Sequence, residues 1–134
     1  MDLLARREHA RLELRRKLMQ RDFPADEVDA ALDRLEADGL LSDERFAEVF
    51  VRQRAGRGYG PLRIRQELRE RGVDDGVIAA ALAPWAEQWL AVAARQHEKH
   101  FGRQPEDAKE RARQQRHLQS RGFGFDIIKE VISE

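Results

Sequence analysis

Apolar residues recur every third or fourth position along most of this chain, and nowhere is the two-residue alternation of a half-buried strand sustained. The pattern predicts helices. Val28, Ala31, Leu32 and Leu35 share one helical face, with Pro24 fitting a first helical position and Asp26 and Glu27 at the positive end of the dipole. Gly39 ends that helix. Ser42 can cap the next, Asp43 and Glu44 fill its first turn, and Phe46, Val49 and Phe50 form its apolar stripe. Gly56, Gly58 and Gly60 break it, Pro61 restarts a helix with Leu62, Ile64 and Leu68 inward, and Gly72 closes that one. Val77, Ile78, Ala81 and Leu82 mark a short helix. Pro84 begins a longer one carrying Trp85, Trp89 and Val92, which Gly102 stops. Pro105 opens a helix through Ala108, Ala112 and Leu118, and after Gly122 a last short helix presents Ile128, Val131 and Ile132. The expected fold class is all-α.

These elements repeat. A shift of 50 residues aligns Leu18 with Leu68 and Leu118, Arg21 with Arg71 and Arg121, and Asp22 with Gly72 and Gly122. It also aligns Phe23 with Val73 and Phe123, Val28 with Ile78 and Ile128, and Leu32 with Leu82 and Ile132. Each copy reads as a helical hairpin with a large apolar residue plugging its corner, and a longer helix precedes the hairpin in copies two and three. Three tandem three-helix units follow, over residues 1–40, 41–83 and 84–134, each with a thin core, in an elongated and curved array. In the first unit only residues 2–8 remain for the leading helix, so it is expected to be short or truncated.

Composition narrows the class. The chain has 134 residues, 41% hydrophobic and 37% charged, too apolar for a disordered chain and too polar for one large core. Cysteine is absent, which excludes disulfide scaffolds, thiolate metal sites and thiol catalysis and suits a reducing cytoplasm. No signal peptide or membrane span is expected, so the protein should stay in the cytoplasm without a membrane partner.

The net charge of zero conceals a pattern. Residues 1–23 carry +3, 24–44 carry −7, 45–72 carry +5, 73–110 carry −3 and 111–134 carry +2. The +5 block holds eight Arg, a residue suited to bidentate contacts with carboxylate or phosphate. Within it, Arg52, Arg54 and Arg57 precede the Gly58-Tyr59-Gly60-Pro61 turn, and Arg63, Arg65 and Arg69 follow on a helix. These Arg residues and Tyr59 are the candidate partner contacts. Tyr59 has two readings, a ring that packs on a partner or a staple between two helices.

Other constellations are weaker. His97 and His100 lie three apart, but no third ligand pattern accompanies them, so no metal is expected and the default is a solvated helix face. The glycines at 56, 58 and 60 lack the preceding strand and the Gly-Lys-Ser/Thr sequel of a phosphate loop. Trp85 and Trp89 read as packing residues. No catalytic arrangement is recognisable, and neither an enzyme nor a cofactor is expected.

One resemblance covers residues 5–133. Gly39-Leu40-Leu41-Ser42-Asp43-Glu44-Arg45-Phe46-Ala47, then Phe50, Arg54, Gly58-Tyr59-Gly60-Pro61, Ile64, Glu67, Leu68 and Gly72-Val73, resembles the RecX family of recombination regulators. Glu13 to Leu18 in the first unit, and Gln115 to Leu118 with Arg121-Gly122-Phe123 in the third, resemble it too. His117 departs by standing where an aromatic such as Phe is usual. In this resemblance Gly58, Gly60, Pro61, Leu68 and Gly72 are motif positions of structural weight.

The resemblance implies a monomeric accessory protein that binds the RecA recombinase filament on single-stranded DNA in its groove. There it would inhibit recombination, ATP turnover and the co-protease activity that triggers the SOS response. Balanced charge fits such a partner better than bulk DNA. The alternative is a sequence-independent DNA-binding helical-repeat protein, with direct DNA contact through the Arg cluster.

Overall fold

The computed structural model describes residues 8–132. Among them lie eight α-helices and no strand: α1 (Arg11–Met19), α2 (Ala25–Ala37), α3 (Asp43–Gly56), α4 (Pro61–Glu70), α5 (Asp75–Leu82), α6 (Trp89–His100), α7 (Ala108–Ser120) and α8 (Phe125–Val131). A 3-10 turn, Ala83–Trp85, joins α5 to α6. Helices α3–α5 form the second three-helix unit and α6–α8 the third. The leading helix expected in the first unit lies, apart from Glu8, outside the described residues.

Local chemistry explains most boundaries. Ser42 accepts the Arg45 N–H at 3.1 Å and so caps α3. Pro61 sits in the first turn of α4, where its missing N–H costs nothing. Pro24 stands one residue before its expected place, as the N-cap of α2, and two further prolines depart more. Pro105 does not open α7; Asp107 does, accepting the Glu110 N–H at 2.7 Å. Pro84 belongs to the 3-10 turn, and α6 begins only at Trp89, with Trp85 and Trp89 stacked at 5.5 Å. Proline is compatible with a first turn without requiring that a helix continue from it.

The repeated corner has a backbone signature. Asp22, Gly72 and Gly122 all take positive φ, at 61°, 80° and 100°. A left-handed residue at this point reverses the chain after each leading hairpin helix. Asp22 accepts the conformation in which its counterparts use glycine. The plugging residue is less uniform: Val73 and Phe123 are buried, whereas Phe23 is 49% exposed and corrects the expectation of a third plug.

Packing divides the described residues into two clusters. Leu14, Val28 and Leu32 of the first unit form a small core with Leu41 at the start of the second. The second and third units share one larger core, including Phe46, Phe50, Ile64, Leu68, Ile78, Trp89, Leu118, Phe123 and Ile128. Three separate thin cores are therefore replaced by one thin and one shared. The first unit meets the second through Arg11, whose N–H donates to Asp43 at 2.8 Å, and through Arg45 with Glu8 at 2.8 Å. Leu12 occupies the space over Gly72 that a side chain would need.

Candidate partner-binding surface

The Gly58-Tyr59-Gly60-Pro61 turn lies on the seam between the second and third units. The Gly60 N–H donates to the Arg121 carbonyl at 2.7 Å and the Leu62 N–H to the Gly122 carbonyl at 3.0 Å. Gly60 is required by this approach, because a Cβ there would lie 2.6 Å from the Gly122 oxygen. Tyr59 packs against the shared core, with the Arg63 guanidinium 4.4 Å and the Arg121 guanidinium 4.3 Å from its ring centroid. Arg63 also donates to the Ser120 carbonyl at 3.2 Å. Tyr59 and Arg63 thus join two units, the stapling alternative for Tyr59.

The Arg-rich block separates into paired and free members. Arg54 is mostly buried, 3.4 Å from Glu67, and its guanidinium covers the Phe50 ring at 4.4 Å. Arg71 covers the same ring at 4.8 Å and reaches Glu13 at 4.0 Å. Arg69 is exposed but pairs with Asp75 at 2.8 Å, and Arg63 lies 3.7 Å from Glu67. Arg52 and Arg57 are exposed and Arg65 half-buried, and none of these three has an intramolecular carboxylate partner among the described residues. The +5 of this block is therefore partly internal wiring.

The histidines of the third unit form an aromatic cluster. His97 is buried, contrary to a solvated face, and its Nε2 lies 2.7 Å from Oε1 of Gln114. His117 stacks on His100 at 3.8 Å, meets Phe101 edge-on at 5.3 Å and lies 3.0 Å from the Gln96 amide. Burial, with smaller contributions from His100, Arg121 and His97, pushes the His117 imidazole down to about 4. No group of three metal-ligating side chains occurs among the described residues. The ring of His117 does the packing of an aromatic at that position.

Comparison with known proteins places this geometry. Residues 1–35, 42–82 and 86–132 match, in order, the first, second and third three-helix domains of RecX. The chain belongs to the RecX family. The regulatory protein RecX of Pseudomonas fluorescens strain Pf-5 is 51% identical over 137 residues, covering 99% of this chain and 86% of that protein. RecX of Ectopseudomonas mendocina strain ymp is 52% identical over 132 residues, covering 96% and 86%. The crystal structure of RecX from Lactobacillus salivarius is similar with a TM-score of 0.84 at 25% identity, covering 97% of this chain and 87% of that one. The family is one of regulatory proteins.

Within this RecX chain, sequence spacing conceals one convergence. Arg57, at the end of α3, lines a pocket of about 70 Å³ together with Arg95 and Lys99 of α6. Arg95 and Lys99 share a helix face by their four-residue spacing, but nothing in the sequence brings that face to Arg57. The seam does so, because Gln96 packs directly beneath Gly58, where a Cβ would collide with its side chain.

Proposed function

We propose that this RecX protein binds the RecA recombinase filament on single-stranded DNA and restrains it, acting as a monomer in the cytoplasm. In this reading it lodges in the filament groove and lowers recombination, ATP hydrolysis and co-protease activity. The observation that carries the reading is membership of the RecX family through all three domains. Free Arg52, Arg57 and Arg65 support it, since guanidiniums without internal partners can pair with carboxylates or phosphates of a nucleoprotein surface. Arg54 is withdrawn from the contact set because its guanidinium is spent on Glu67 and Phe50. Tyr59 and Arg63 act as supports of the surface, and Arg69 stays at its edge.

The test is titration of the full chain into RecA on single-stranded DNA while ATP hydrolysis is followed. Hydrolysis should fall as the protein is added. The triple variant R52E/R57E/R65E should require about tenfold more protein for the same effect, with its helical circular dichroism unchanged. An unchanged hydrolysis rate at saturating parent protein would overturn the reading, and full inhibition by the folded triple variant would move the contact elsewhere.

A further inference from the structure

We propose that the pocket between the end of α3 and the middle of α6 seats a single phosphate of a nucleic-acid strand. Arg57, Arg95 and Lys99 supply its positive charge, and Gly56 lets the strand approach the backbone. This goes beyond restraint of a filament and does not depend on it.

Three observations carry the proposal. First, two units contribute three bases to one small cavity, no carboxylate lines it, and none of the three has an ion-pair partner among the described residues. Glu98 lies on the same helix but outside the lining. Unpaired like charges held around one cavity repel each other and are relieved by an anion.

Second, the backbone at Gly56 is open to the pocket. This glycine closes α3 with an ordinary negative φ, and a Cβ placed on it would meet nothing within 4 Å. With no side chain here, the main chain at the pocket wall is left uncovered for whatever enters it. The pocket lies at the negative end of the α3 dipole, so an anion there is held by the three bases against that pole.

Third, the chemistry selects phosphate over a protein surface. The cavity of about 70 Å³ has room for one tetrahedral anion, and its exposed rim is cationic, without the large exposed aromatic anchor of a protein hot spot. Recognition through charge and backbone approach alone carries no base specificity, so the seat should accept any strand sequence.

The experiment measures anisotropy of labelled oligo-dT with the full chain, without recombinase, across a salt series. The variants are G56A and R95Q/K99Q, with labelled poly-glutamate as the competing anionic probe. Parent protein should bind oligo-dT with affinity that falls as salt rises. R95Q/K99Q should bind about tenfold more weakly at low salt, with a salt slope shallower by about 0.7, the loss of one phosphate on a single strand. G56A should be no less stable to heat than the parent and yet bind more weakly, a combination that a folding role for Gly56 does not produce.

Unchanged affinity and slope in folded R95Q/K99Q would overturn the proposal. So would a parent that does not bind oligo-dT, or variants that lose poly-glutamate while keeping oligo-dT. All these readings are made without RecA, so they stand apart from the ATP-hydrolysis test.

Discussion

His117 shows how a single side chain links packing to pH. Its imidazole is held neutral first by burial and then by the nearby His100, Arg121 and His97, while the ring stacks on His100. In the unfolded chain it takes up a proton near 6.5, whereas in the folded chain it does so near 4. The unfolded state therefore binds more protons between these values, and the stability contributed by the neutral ring is full above pH 6.5 and lost as the pH falls toward 4. Urea denaturation should give a lower midpoint at pH 5 than at pH 7. H117F keeps an aromatic at the site and should flatten the part of that dependence due to this ring.

At the scale of elements, the seam between the second and third units is set by backbone contacts as well as by the shared core and the Tyr59 and Arg63 side chains. Gly60 and Gly122 let α4 approach the α7–α8 corner closely enough for two amide-to-carbonyl bonds. G60A would place a methyl group 2.6 Å from the Gly122 oxygen and 2.7 Å from Phe123 Cδ1. It should cost about 1–3 kcal/mol in denaturant unfolding, the range for overpacking a site that cannot relax.

The helices themselves were legible because Val28 and Leu32, Ile78 and Leu82, and Ile128 and Val131 keep a helical spacing that burial reproduces. The corners were legible through the 50-residue alignment of Asp22, Gly72 and Gly122. Tertiary context decided what periodicity could not. Pro84 and Pro105 fit a helix start locally but lie in turns, and Phe23 fits a plug yet stays exposed. The candidate surface was read as a continuous Arg block, but Arg54 and Arg71 turned inward to Phe50 because Glu67 and Glu13 were there to receive them. Arg95 and Lys99 gave no signal, since only the fold carries them to Arg57.

For the whole molecule, the two cores differ in size among the described residues, with four buried hydrophobics in the small core around α1 and α2 against twenty in the larger one, to which the first unit contributes only Ala10. Apolar burial is the main stabilising term, so the first unit should open without the rest. Native-state hydrogen exchange should find the protected amides of α2 at least about tenfold faster than those of α4. Equal protection in the two helices would show that the ion pairs of Arg45 with Glu8 and Arg71 with Glu13, and the Arg11 N–H bond to Asp43, bind the first unit into one cooperative structure.

A seam written in main-chain atoms also shapes which substitutions a lineage can accept. Because Arg121 and Gly122 contribute carbonyls and Gly60 and Leu62 contribute amides, exposed side chains around that junction, apart from Tyr59 and Arg63, can drift without breaking the register between units. Drift should halt at the two glycines, whose missing Cβ atoms make the register possible, and the surrounding residues are left open to adaptation toward a changing partner.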